Sequence, residues 1–134
     1  MVKKDIVALL RLHGIHPSAQ RVAVGEYVLD TEEHPSADEA WSRVKKKFPR
    51  ISRATVYNTL NLFVKKGLLH SLALAEGKLV FDPKMDRHHH FIDESTGKIY
   101  DLPWESLSVS DVDGLHGFEV RQYQVVVRGK KKST

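Results

Sequence analysis

Three consecutive histidines, His88, His89 and His90, are the residues of this chain whose type and spacing point most directly to chemistry. On a strand, successive side chains alternate faces, so His88 and His90 share one face, about 6.5 Å apart along the chain, while His89 looks the other way. Two imidazoles so placed can close on one metal ion. If the ESTG segment turns the chain back, Asp101 becomes available from the neighbouring strand, and Asp82 lies just upstream. His34, in the loop TEEHPS, is a fifth candidate, although spacing alone favours an ordinary loop histidine before a proline. A triple histidine by itself is as often a surface cluster. Joined by carboxylates, the set suits Fe(II), Mn(II) or Zn(II). If His34 closes on the same ion as Asp82, His88, His90 and Asp101, the metal ties two parts of the chain together and selects one orientation.

The second constellation is a polar stripe. Arg53, Tyr57, Asn61 and Lys65 recur every four residues, with Asn58 beside them, so they share one face of a helix. A helix entering the major groove needs such side chains: arginine grips guanine or phosphate, asparagine pairs with adenine, and tyrosine meets a thymine methyl or a phosphate. A solvated helix face is the simpler reading of any polar stripe. Position within the chain favours groove reading here, as the surrounding elements show.

Those elements read as follows. Residues 2–13 place Val2, Ile6, Leu9, Leu10 and His13 on one helical face, with Gly14 as the stop. A second helix starts at Ser18 and buries Val24, Tyr27 and Val28; Gly25 inside it costs about 1 kcal/mol against alanine, so packing must hold it. Ser36-Ala37-Asp38-Glu39 is a capping box, followed by Ala37, Ala40, Trp41, Val44 and Phe48 at helical spacing. Ser52 caps a helix running to Lys66, with Val56, Leu60, Phe63 and Val64 buried and Gly67 at its end. LLHSLAL and KLVFD then form a hairpin about the AEGK turn. Helix, helix, helix–turn–helix and hairpin is the order of a winged helix, assigned to residues 1–81. Residues 82–134 form a second, small domain: a hairpin of RHHHFID and KIYDL, a weak helix at best over WESLSVSDVDGLHG, and a final strand FEVRQYQVVVR. Too small to bury much core alone, it is expected to dimerise. The fold class is α+β.

Composition bounds the function. The chain has 134 residues and a net charge of +4. Residues 1–80 carry thirteen Lys/Arg against eight Asp/Glu, whereas residues 81–127 carry four against nine. A basic front half suits a polyanion, and an acidic back half suits a cation. The tail RGKKKST reads as a solubilising end. With no cysteine, disulfides, thiol catalysis, iron–sulfur clusters and cysteine-ligated zinc are all excluded. No apolar run approaches the ~18 residues of a membrane span and the start lacks a secretory signal, so a cytoplasmic protein is expected.

The segments GIHPSAQR, HPSADEAW, PRISRATVYNTLNLFVKKGLL, FD followed by HHH, and TGKIYDL together resemble the ferric uptake regulator superfamily, most closely its peroxide-sensing branch, over nearly the whole chain. The resemblance implies a homodimeric, metal-dependent repressor of transcription that binds double-stranded operator DNA. It implies an N-terminal winged helix and a C-terminal dimerisation domain. It places the regulatory ligands on His34, Asp82, His88, His90 and Asp101, for Fe(II) or Mn(II), with Zn(II) possible in vitro. Aspartate at position 101 is typical of the peroxide branch, whereas iron-uptake members usually carry glutamate. In such sensors, bound Fe(II) reacts with hydrogen peroxide and the oxidant attacks a ligand histidine, by position His34 or His88. Mn(II) supports DNA binding while resisting peroxide. Tyr57 falls on a DNA-contacting position, and Arg21 and His16 join Arg53, Asn58 and Asn61 in the DNA-binding set.

Three departures follow. Asp93 and Thr96 stand where the family's structural zinc has its first cysteine pair, and the second pair is missing, so that zinc cannot form and apolar packing must hold the dimer. His16 stands where an arginine often reaches the minor groove, and Ala19 replaces a proline beside it. At the family's additional metal site, Tyr123 stands near the histidine and Ser108 replaces the carboxylate; His89 alone cannot restore it, so one ion per subunit is expected. His13, His70 and His116 are read as packing residues. Three readings compete with the peroxide sensor: an iron-sensing repressor, a winged-helix protein with a structural zinc, and a non-haem iron enzyme. Against an enzyme, five candidate ligands leave little room for substrate, and no Gly-rich or nucleophile motif is present.

Overall fold

The structure is a computed structural model that describes residues 5–73 and 78–133. Val2, Leu74 and the turn residues Ala75, Glu76 and Gly77 named above, together with Thr134, lie outside the described residues. The chain divides into two compact units, the first ending at Met85 and the second beginning at Asp86. The division falls beyond residue 81 because Asp82 is the last residue of a strand belonging to the first unit.

In the first unit, α1 (Ile6–Leu12), α2 (Ala19–Val28), α3 (Ala37–Val44) and α4 (Arg53–Lys65) precede the antiparallel pair β1 (His70–Ala73) and β2 (Leu79–Asp82). The caps follow from the sequence. Asp5, Ser18, Ser36 and Ser52 each accept a hydrogen bond from a backbone N–H in the first turn of their helix, satisfying one of its otherwise unpaired donors. Gly14 and Gly67 end α1 and α4 in left-handed backbone, at φ +74 and +81, a conformation that glycine adopts without penalty. Leu10, Val24, Val28, Val56, Leu60 and Phe63 meet in one apolar core. Helix α3 stops at Val44, earlier than its apolar spacing suggested. Lys46 and Lys47 donate to the carbonyls three residues back, a tightening typical of helix ends. Phe48 still donates to Val44, at 2.9 Å, and packs on the core from the loop.

In the second unit, β3 (His88–Asp93) is the central strand of a three-stranded sheet, antiparallel to β4 (Ile99–Pro103) and parallel to β5 (Val126–Gly129). The weak helix after β4 reduces to one 3-10 turn, Trp104–Ser106; serine, aspartate and glycine beyond it compete with helical bonding. The final strand is much shorter than FEVRQYQVVVR. The Val125 N–H is taken by the His89 ring at 2.9 Å, so regular pairing begins only at Val126. Ile92 is the one large aliphatic side chain of this unit that is buried among the described residues, while Leu115 and Phe118 are exposed.

Gly25 shows what the core demands. A Cβ there would lie 2.7 Å from Ile6 Cγ2 and 3.4 Å from Leu29 Cδ1, and the branched Ile6 side chain has little rotamer freedom to yield. Overpacking of about 1–3 kcal/mol then outweighs the ~1 kcal/mol of helix propensity gained. Gly25→Ala is expected to lower the unfolding midpoint in urea; an unchanged or raised midpoint would contradict this packing.

Candidate metal centre and nucleic-acid interface

The register of β3 and β4 sets His90 directly opposite Asp101, with His88 two residues back on the same face. Both imidazoles are buried, with ring centroids 4.6 Å apart. His88 Nδ1 lies 2.6 Å from the Asp86 carbonyl oxygen, and His90 Nδ1 lies 2.8 Å from Gln124 Oε1. Both partner atoms can only accept, so each ring carries a proton on Nδ1, and it is Nε2 that the neutral imidazole offers to a metal. Those two Nε2 atoms lie 3.7 and 3.5 Å from Asp101 Oδ1. Donors sharing one ion through bonds of about 2.0–2.2 Å stand about 3–3.5 Å apart, so the three residues have the tautomers and nearly the spacing that a metal requires.

The first unit supplies a second group. Phe81 donates to the Pro35 carbonyl at 2.9 Å, and Ser36 bridges Val80, so the loop carrying His34 runs alongside β2. His34 Nε2 consequently stands 3.3 Å from Asp82 Oδ2, with 3% and 5% of the two side chains exposed. The other Asp82 oxygen accepts from the Lys84 N–H at 2.9 Å. The loop histidine before a proline that spacing favoured is thus buried against a carboxylate. Each group mixes imidazole nitrogen and carboxylate oxygen, the donor chemistry of Fe(II), Mn(II) and Zn(II). Sequence reasoning missed Gln124, whose contact spans 34 residues and leaves no periodic trace.

His89 points to the opposite face of the sheet. It stacks on Trp104 at 4.5 Å, lies 6.4 Å from Tyr123, and accepts from Val125. Arg87 in turn sits over Trp104, so His89 is held in an aromatic group.

The polar stripe lies on α4. Arg53, Asn58, Asn61 and Lys65 are exposed and Tyr57 is half-buried. The Trp41 indole N–H donates to the Ile51 carbonyl at 3.0 Å, fixing the connection that aims α4. His16, Arg21 and Asn58 line one open cavity of about 390 Å³ together with Ser18, Gln20 and Thr55. The Arg21 guanidinium donates to the His16 carbonyl at 3.1 Å. Arg53, Tyr57 and Asn61 lie outside that cavity. Ser18, Gln20 and Thr55 were not singled out from the sequence, although Thr55 and Asn58 share a face at helical spacing.

Comparison with known proteins matches residues 13–128 to the ferric uptake regulator family. Among curated proteins, the peroxide operon regulator of Bacillus subtilis is 33% identical over 128 residues, covering 94% of this chain and 88% of that protein. The peroxide-responsive repressor PerR of Staphylococcus epidermidis is 32% identical, covering 94% and 85%. Among solved structures, the ferric uptake regulator from Francisella tularensis with iron aligns with a TM-score of 0.73 at 25% identity, covering 90% of this chain and 94% of that one.

Asp93, standing where the resemblance puts a zinc-binding cysteine, makes hydrogen bonds instead. Its Oδ1 accepts from the Ser95 N–H at 2.9 Å and the Ser95 hydroxyl at 2.5 Å, and its Oδ2 accepts from the Lys131 N–H at 3.3 Å. One carboxylate thus fastens the β3–β4 turn to the segment after β5. The Ser95 hydroxyl foremost, against the effect of burial and with help from backbone N–H groups, holds the Asp93 carboxyl below the ordinary aspartate range. A depressed folded-state pKa contributes stability that is complete above the unfolded value of about 3.9 and lost as pH falls through the lower folded value. Asp93→Asn is therefore expected to melt below the native chain at neutral pH, with the gap closing as acid protonates the native carboxylate. Parallel circular-dichroism melts check this, and coincident curves at neutral pH would refute it.

Proposed function

The chain belongs to the ferric uptake regulator family, and from that membership we propose that it is a metal-dependent transcriptional repressor that leaves its operator when peroxide oxidises the histidines holding its ion. The observation that carries the reading is the pair of His88 and His90 Nε2 atoms turned towards Asp101, with His34 and Asp82 paired in the first unit. In this reading His34, Asp82, His88, His90 and Asp101 are the ligands of the regulatory ion, one per subunit, and its occupancy is the condition for DNA binding through α4. Relatives named for peroxide response and aspartate at position 101 favour peroxide over iron as the signal.

A bound Fe(II) would supply one-electron reduction of hydrogen peroxide, which yields a strong local oxidant. As ligands, the imidazoles of His34 and His88 would be among the oxidisable groups nearest to it. An imidazole carrying added oxygen is a weaker donor, so the cage loses its grip and the DNA-competent arrangement with it. The chain acts as a homodimer in the cytoplasm. The thin apolar interior of the second unit and its exposed Leu115 and Phe118 are surfaces that a second copy would cover.

The test uses duplexes enriched from a random pool by the Mn(II)-loaded protein. After a low peroxide dose, the Fe(II)-loaded protein is expected to release them and to show added oxygen on His34 or His88 in peptide mass spectra. The Mn(II)-loaded protein should keep its DNA and stay unmodified. Release with clean histidine peptides would overturn oxidation as the trigger, and DNA binding that survives peroxide with iron would overturn peroxide sensing.

A further inference from the structure

Arg53 opens α4, and its guanidinium is already held. Its Nε lies 2.6 Å from Asp38 Oδ1 and its Nη2 lies 3.0 Å from Asp38 Oδ2. Asp38 stands in the first turn of α3, so the contact joins the starts of the two helices of the helix–turn–helix. Tyr57, one turn along α4, has its ring centroid 5.4 Å from the guanidinium carbon, and its hydroxyl oxygen also accepts from the guanidinium. Both partners of the ion pair remain more than half exposed, at 55% and 58%. An exposed pair adds little to stability and costs side-chain entropy to order, so a role in folding does not account for it.

The geometry of the pair says what it does. Asp38 occupies the side edge of the guanidinium, Nε and Nη2, and leaves its end-on fork, Nη1 with the second hydrogen of Nη2, unused by the carboxylate. A two-pronged donor held end-on matches guanine O6 and N7 in the major groove. A phosphate grip would favour an unpaired cation, whereas here the neighbouring carboxylate cancels the charge and repels phosphate. Resting on the DNA-binding reading above, we propose that Asp38 is a specificity-determining positioning residue, holding Arg53 so that it reads a guanine base instead of gripping the backbone.

Two measurable consequences separate this from a plain surface ion pair. Freed in Asp38→Asn, Arg53 becomes one more mobile cation: the guanine preference falls about tenfold, while the slope of log affinity against log salt steepens by about one. Arg53→Lys keeps the charge but not the fork, so it loses the same preference. The experiment is selection from random duplexes by the full Mn(II)-loaded chain and by both variants, followed by salt titration on the enriched duplex and on a copy with that guanine replaced. Melting curves confirm that each variant is folded. The inference stands if the native chain enriches a motif whose guanine both variants read weakly while the rest of the motif persists. It falls if Asp38→Asn keeps the guanine preference and the salt slope. If the native chain enriches no motif, DNA reading itself fails and takes this inference with it.

Discussion

A divalent ion held without sulfur demands at least four nitrogen and oxygen donors, and this chain spreads its suitable residues over two compact units. The first unit pairs His34 with Asp82; the second turns His88 and His90 towards Asp101. Two residues, or three, hold such an ion weakly without water or further ligands. The nitrogen and oxygen donors are thus the constraint from which the proposed regulation follows: DNA binding is made conditional on an ion that imidazoles and carboxylates would hold.

The elements around each group explain why the donors are ready. His88 and His90 lie on the central strand of a three-stranded sheet, and their Nδ1 atoms are engaged by Asp86 and Gln124. That fixes the tautomer before any ion arrives, and such outer contacts raise the basicity of the nitrogen left for metal. His34 is drawn from its loop by backbone bonding along β2. At the position where the resemblance puts a zinc-binding cysteine, the Asp93 carboxylate fastens the β3–β4 turn with hydrogen bonds.

Much of this was legible in the residues themselves. Ser18, Ser36 and Ser52 cap helices because a short hydroxyl satisfies an unpaired N–H, and Gly14 and Gly67 end them because they take positive φ. Strand alternation was enough to put His88 and His90 on one face and His89 on the other. What escaped was set by contacts distant in sequence. The last strand pairs regularly only from Val126, beside a Val125 N–H captured by the His89 ring, 36 residues away. Gln124 and Asp38 meet their partners across 34 and 15 residues, where no period or cap announces a contact. Spacing alone read His34 as an ordinary loop residue, and only the resemblance put it among the ligands, because nothing in its neighbourhood reveals that the loop runs beside β2.

The most direct test of the shared ion is calorimetric titration of Mn(II) into the native chain, His34→Ala and His90→Ala. The proposed ligand set predicts a single binding event per chain, weakened by either substitution by more than the about 10–100-fold that losing an outer contact costs. Two events in the native chain, or one that His34→Ala leaves untouched, would contradict it.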